Sequence, residues 1–371
     1  MAPSQAITDA GLAAVGVTLT LYAYSALKPG DLPASGLPAV VFSLVADNAG
    51  ADPVNVSLTL TLPLPAMNDC ARPAAAAAVV RVLTAPSPAA CLHACAGVVA
   101  CASWTHVNAT GACTLASSVP WSVFAAGSYC GVAGAWVAAD GGGLSFEQTP
   151  AGGAGGPAYG DATLLPVLDG GGGAACVGTA DSASALLAEF AATGCLGGAP
   201  GGFAPAAIGG AVASGSVPAG GAAAVSVVFA WYFPHRDHMN VDIGNFYANL
   251  WASSGAVAGA LGSRDALAGA VSVINAHHAV FAPLAASPLP DWVSDFAINE
   301  MSHFRGLIWT RDGRLREFEA NDCPDVDSIH NDYQRHLPYL WVAPQFEVRE
   351  GSAVRCLHPG TRTRCAARAR R

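Results

Sequence analysis

The sequence predicts a mainly β protein, a β-sandwich interrupted by a small disulfide-rich insertion and followed by helices. Three observations predict it. Between residues 15 and 65 apolar and polar side chains alternate, the two-residue period of strands with one buried face. Between 66 and 134 the alternation stops, and Cys70, Cys91, Cys95, Cys101, Cys113 and Cys130 crowd together instead. After Pro288-Leu289-Pro290 the period becomes helical, with Val293, Phe296, Ala297, Met301 and Phe304 recurring along one face. These shifts divide the chain into 1–65, the first part of the sandwich, and 66–134, the insertion. The second part of the sandwich, with Gly/Ala-rich loops, is expected over 135–284, the start of a helical domain over 285–350 and a basic disordered tail over 351–371.

In chain order, Val15, Val17, Leu19 and Leu21 alternate with Gly16, Thr18 and Thr20, which reads as a strand. A secretory leader is disfavoured there, because Asp9 precedes the apolar run and no Lys or Arg supplies a positive flank. The chain is therefore expected to begin inside a domain. Val54, Val56, Leu58, Leu60 and Leu62 alternate with Asn55, Ser57, Thr59 and Thr61, and Asp47-Asn48-Ala49-Gly50 supplies a turn. Short strands joined by such turns argue for a sandwich.

In the insertion, Ser87-Pro88 predicts an N-cap and first-turn proline for a helix that sets Cys91 and Cys95 on one face, toward a neighbouring strand. Six cysteines allow many pairings, so connectivity stays open, with buried free thiols as the alternative. A zinc site is disfavoured because closely spaced Cys-x2-Cys pairs are missing. The sequons Asn55-Val56-Ser57 and Asn108-Ala109-Thr110 predict glycosylation at Asn55 and Asn108, and with the cysteines they point to a secretory, oxidising compartment. The run Cys91-x3-Cys95-x5-Cys101, then Trp104 and Cys113-Thr114-Leu115, resembles a PAN/apple module. That resemblance implies a small disulfide fold that binds protein or carbohydrate.

From about 138 to 222 glycine and alanine dominate, with Gly170 to Gly173 unbroken. Such runs bury little apolar area against chain entropy, so loops or expanded linkers are expected. Ser182 to Phe190 predicts a short helix with Leu186, Leu187 and Phe190 on one face, and strands are expected to resume from Val225 to Phe233.

Composition excludes several functions. Hydrophobic residues make up 52% and charged residues 12%, but much of the former is Ala, so Val, Leu, Phe and Trp must supply the core. A net charge of −9 argues against a nucleic-acid surface on the main body. The basic tail, with Arg355, Arg362, Arg364, Arg368, Arg370 and Arg371, reads as a solvated terminus. No apolar run approaches the roughly 18 residues of a membrane span.

Leu315 to Glu347 is the chemically dense stretch. It gathers Glu317, Glu319, Asp322, Asp325, Asp327 and Asp332 with Phe318, Tyr333, Tyr339, Trp341 and Phe346. Carboxylates that bond hydroxyl groups, beside flat aromatic faces, are what a sugar site requires. Asp325-Val326-Asp327 as a cation pair, and His235/His238, His277-His278 or His330/His336 as transition-metal ligands, lack identifiable further ligands. No metal and no cofactor are expected.

Phe318-Glu319, the loop Asn321 to His330 and Pro344-Gln345-Phe346-Glu347 resemble, without a gap, the nucleophile region of glycoside hydrolase family 116, the group of non-lysosomal glucosylceramidase and related β-glucosidases. Leu289-Pro290-Asp291-Trp292 with Asn299-Glu300 and Trp309 is similar to its Leu-Pro-x-Trp helix and the Trp that closes it. Ala230-Trp231-Tyr232-Phe233-Pro234 with Asn245-Phe246-Tyr247, and the loop Ser25 to Gly30, also resemble family segments. The likeness covers most of 15–65 and 180–350.

It implies a sandwich followed by the first helices of a truncated (α/α) barrel, and retaining hydrolysis of β-glucosides or glucosylceramide with Glu319 as nucleophile. His330 stands where the family has its substrate-binding Asp, so Asp327, His330, Asp332 and Trp341 are the expected substrate-binding residues. The family's acid/base Asp lies beyond Arg371, so an incomplete, inactive fragment is expected. The expected partner is a β-glucoside or glycolipid, with peripheral membrane association through that substrate and no nucleic acid. The cytoplasmic face of membranes is the alternative compartment. The alternative function is a secreted carbohydrate- or protein-binding module using the insertion, and a third reading is the non-functional product of a disrupted gene.

Overall fold

A computed structural model describes residues 4–7, 10–25, 35–63, 66–71, 78–118, 123–148, 159–168, 173–197, 208–238, 241–263, 265–269, 282–283, 286–299 and 307–317. The described chain is mainly β, in several antiparallel sheets.

The largest sheet has seven strands: β1 (Ser4–Ile7), β2 (Val17–Tyr24), β3 (Ala39–Asn48), β10 (Gly134–Ala139), β11 (Gly143–Gln148), β12 (Gly160–Val167) and β15 (Gly221–Tyr232), in the order β1-β2-β3-β15-β12-β11-β10. A three-stranded sheet of β4 (Val54–Pro63), β13 (Ala174–Ala180) and β14 (Ile208–Val217) runs β13-β14-β4. The two face each other across a core in which Leu44, Ala46, Val225, Val227 and Leu164 meet Val56, Ala211, Ala213 and Val217. Alternation sends the next residues of the central strands the other way. Val228 and Ala230 with Leu165 and Val167 pack under Val257, Ala258 and Leu261, from the helix Ser254–Ala260 and its end. Covered on both faces, β12 is buried at every position, which is why Gly160–Val167 shows no alternation.

The Gly/Ala-rich stretch expected as loops holds four strands instead, β11 to β14, and strand β15 follows where strands were expected to resume. The small residues let large ones from another layer approach their backbone. A Cβ at Gly209 would lie 2.6 Å from the Trp136 ring, and one at Gly210 would lie 2.9 Å from Leu186 and Leu196. The apolar area comes from these partners. The helix Ala183–Thr193 forms as predicted, with Ser182 accepting a hydrogen bond from the Ala185 amide and Gly194 ending it at φ +70°. Leu186 is buried, but Leu187 is 47% exposed and so does not share its face. Val15 is likewise exposed, in the turn before β2, so that strand begins two residues later than its periodicity suggests.

Residues 66–132 build a separate five-stranded sheet, β5-β9-β7-β8-β6, from β5 (Ala66–Ala71), β6 (Val79–Thr84), β7 (Ser103–Val107), β8 (Ala112–Ala116) and β9 (Val123–Val132). The helix Pro88–Ala96 lies on it, capped by Ser87, whose Oγ accepts from the Ala90 amide at 3.2 Å. Cys91 bonds to Cys113 on β8, while Cys95 bonds to Cys101 in the loop before β7. Cys130 is disulfide-bonded as well, and the Cys70 side chain lies outside the described atoms. Bonded sulfurs replace the free-thiol alternative for these five residues. A further bridge that the sequence pattern did not single out, Cys176–Cys195, ties β13 to the segment after the helix Ala183–Thr193. Trp104 is buried over Gly131, and its cluster continues into Trp136, Leu144 and Phe146, so this unit docks on the end of the seven-stranded sheet.

After the β layers come the helix Asp291–Asn299 and a hairpin of β18 (Leu307–Trp309) and β19 (Leu315–Glu317). Trp309, expected to close a helix, belongs to that hairpin: Leu307-Ile308-Trp309 is an apolar, β-branched and aromatic run, followed by an Asp312-Gly313 turn. No helix among the described residues is long and apolar enough to cross a membrane.

Candidate functional site

The β layers meet the hairpin in a clasp around Asp242. Past Tyr232 the chain leaves β15, makes the two-residue strands β16 (Asp237–His238) and β17 (Val241–Asp242), turns at Gly244 and enters a short 3-10 turn, Phe246–Asn249. Asp242 ends this ribbon and gathers four donors. Its Oδ1 accepts from the Arg236 amide at 3.1 Å and the Gly244 amide at 2.9 Å. Its Oδ2 lies 2.8 Å from His235 Nδ1 and 3.2 Å from Arg311 Nη1.

Arg311 is the hairpin's contribution. Its Nη2 donates to the Pro234 carbonyl at 2.6 Å, its amide donates to the Ile243 carbonyl at 3.0 Å, and its own carbonyl accepts from Asn249 Nδ2 at 2.8 Å. Gly244 makes room for it: φ is +58°, and a Cβ there would fall 2.5 Å from Arg311 Nε. Beside this, Phe246 and Trp309 stack with centroids 3.6 Å apart and planes 9° apart. Asn245 Nδ2 and the Tyr247 hydroxyl donate to the Phe233 carbonyl at 2.7 and 2.9 Å. The segments 230–234, 245–247 and 309, separate in sequence, therefore converge. A shallow cleft of about 460 Å³ opens against the clasp, lined by Val241, Asp242, Ile243, Thr310, Arg311, Asp312 and Arg316.

Burial works against the Asp242 charge. The hydrogen bonds from His235 and the Arg236 amide, with the Arg311 and His235 charges, outweigh it and hold its pKa down to about 2. Asp242 is thus held in its charged form. His235 is held by its contact with Asp242; the His238 side chain lies outside the described atoms. Among the described residues no group of three His, Cys, Asp or Glu side chains could hold a metal.

A second polar group lies under the helix Ser254–Ala260. Asp161, 6% exposed, accepts at Oδ2 from the Ser254 amide at 2.9 Å and the Ser254 hydroxyl at 2.8 Å. The hydroxyl chain continues to Thr163 and Ser145 in steps of 2.6 Å. Asp161 Oδ1 has no hydrogen-bond partner among the described residues, and burial pushes the carboxyl pKa up against the lowering effect of Ser254.

Glu319, Asp327, His330, Asp332 and Trp341 lie outside the described residues, as do the histidines 277, 278 and 336. What is described is the strand that leads to Glu319: β19 ends at Glu317, two positions before it. Asn55 and Asn108 are both exposed. Sequence reasoning missed Asp161, Asp242 and Arg311. A lone acid in the mostly apolar Gly160–Val167, and an Asp two residues before a Gly at 244, were the signals available. Neither a family profile nor a curated protein matches the chain.

Proposed function

We propose that the chain forms the β-layered part and the start of the catalytic domain of a retaining β-glycosidase resembling glycoside hydrolase family 116, acting on β-glucosides or glucosylceramide through Glu319. The observation that carries this reading is the Asp242–Arg311 clasp. A nucleophile must be held in near-attack geometry, and the clasp ties the hairpin that ends two residues before Glu319 to the two-layer frame.

In the proposed reaction a Glu319 oxygen attacks the anomeric carbon, the bond from that carbon to the aglycone oxygen breaks, and a glycosyl ester forms that water later hydrolyses. Departure of an ordinary alkoxide needs a proton from a second carboxyl group, about 5–5.5 Å away in retaining enzymes, and the resemblance assigns that role to no residue between Met1 and Arg371. Trp341 would stack on the sugar face. Asp327, His330 and Asp332 would bond its hydroxyl groups, with His330 altering the recognition that an Asp gives. Peripheral membrane association would follow from a glycolipid substrate.

A dinitrophenyl fluoroglucoside tests the proposal, because its leaving group departs without acid assistance. The wild-type chain is expected to release a burst of dinitrophenolate stoichiometric with protein, and Glu319→Gln none. A folded wild-type chain that gives no burst overturns the reading.

A second reading has its own support. The disulfide-bonded sheet carrying the helix Pro88–Ala96 suits a secreted PAN/apple-like module that binds carbohydrate or protein. Glycan-array binding by the whole chain, abolished by substitutions on that unit and unaffected by Glu319→Gln, would favour it.

A further inference from the structure

We infer that Asn108 and Asn55 carry N-linked glycans, an assignment independent of the glycosidase reading. The asparagines whose side chains are described divide into two kinds. Asn48 donates its amide to the Asp52 and Pro218 carbonyls, Asn245 to that of Phe233 and Asn249 to that of Arg311. Those three side chains fix turns and the clasp, and none starts an Asn-x-Ser/Thr triplet. Asn55 and Asn108 do start such triplets, both are exposed, and neither side-chain amide makes a hydrogen bond among the described residues. Among the described side chains, the two asparagine amides left unused are therefore the two that the modifying enzyme recognises.

The surroundings leave room for a large polar adduct. Asn108 begins the turn between β7 and β8, and Asn108, Ala109 and Thr110 are all exposed. The turn is held without the Asn108 side chain: the Asn108 amide donates to the Gly127 carbonyl at 3.0 Å, the Gly111 amide to that of Val107 at 2.8 Å, and the exposed Thr110 hydroxyl accepts from the Ala112 amide at 3.2 Å. Asn55 is the second residue of β4, which pairs with β14 on one side only among the described residues. The compartment is consistent. The bridges Cys91–Cys113, Cys95–Cys101 and Cys176–Cys195 form and persist where conditions are oxidising, on the route where the glycan donor is found.

The chemistry is a substitution at an anomeric carbon. The Asn amide nitrogen attacks the first carbon of an oligosaccharide carried on a lipid diphosphate, and the bond from that carbon to the diphosphate oxygen breaks. The amide loses one proton, and the lipid diphosphate leaves.

The test uses the full chain recovered from a eukaryotic secretory pathway. It is treated with peptide-N-glycosidase in heavy-oxygen water, reduced, alkylated and cleaved with chymotrypsin, which releases the peptide Thr105 to Leu115. The expected result is heavy-oxygen Asp at positions 108 and 55, appearing only after the glycosidase. Asn108→Gln should run faster on a gel by one glycan while retaining the Cys91–Cys113 bridge, which separates loss of a glycan from failure to fold. Recovery of either peptide wholly as unmodified asparagine, in protein whose disulfides have formed, overturns the assignment of that site.

Discussion

If Asp242 holds the hairpin mainly through charge, Asp242→Asn should weaken the clasp by an amount that depends on pH. The substitution keeps the shape. Its remaining oxygen can still accept from the Arg236 and Gly244 amides, so the turn survives, but an NH2 group replaces the oxygen that faces Arg311 at 3.2 Å and His235 at 2.8 Å. A fall in pKa from 3.8 to about 2 corresponds nominally to ~2.5 kcal/mol. The carboxylate side chain is 38% exposed, and solvent screening of such a pair reduces this to about 1 kcal/mol.

The sign follows from the depressed pKa: the stabilisation is present above the ordinary carboxylate range and is lost as pH falls through 3.8 toward about 2. Urea unfolding monitored by hydrogen exchange of the Arg311 amide, at about pH 7 and again near pH 2, reads both values. Wild type should exceed Asp242→Asn by about 1 kcal/mol at the higher pH and by almost nothing at the lower. Equal gaps at both values, or no gap at either, would refute the electrostatic account.

Other perturbations test other parts. Cys113→Ser opens a bridge of sequence separation 22 and should lower stability by about 3 kcal/mol in thermal unfolding, with the loss confined to the 66–132 sheet in exchange maps. Gly244→Ala puts a Cβ against the Arg311 guanidinium at a positive φ, and a loss of about 2 kcal/mol together with exposure of Trp309 fluorescence is expected. Asp161 has a raised pKa, so its contribution is fully present below the ordinary carboxylate value and is lost as pH rises through its folded value. Asp161→Asn should therefore flatten the decline in stability toward neutral pH, whereas Asp161→Ala, which leaves the Ser254 amide and hydroxyl without their acceptor, should cost about 2 kcal/mol below the ordinary carboxylate value and less as pH rises.

Strands with one open face were legible because alternation records them: β2 and β4 are written in Leu19-Thr20-Leu21 and Leu58-Thr59-Leu60. The helix on Cys91 and Cys95 was legible because Ser87-Pro88 is a local cap needing no tertiary information. β14, with the sequence IGGAVASGSV, was not legible. Its glycines report where Trp136 and Leu186 press, and those partners lie far away in the chain. The clasp was hidden for the same reason. His235 and Asp242 are close in sequence, but Arg311 is 69 positions beyond Asp242, and no period links them. The sequence motifs at 230–234, 245–247 and 309 signalled that these segments matter, while their meeting at Phe233 and Trp309 is a property of the fold.

The proposed nucleophile is the carboxylate two residues past β19. Fragmentation mass spectrometry of the fluoroglucoside-treated chain tests it most directly, by locating the sugar on a single residue. A fluoroglucosyl ester on Glu319 is expected. An adduct on any other carboxylate, Asp327 included, or an unlabelled Glu319 peptide from folded protein, would contradict it.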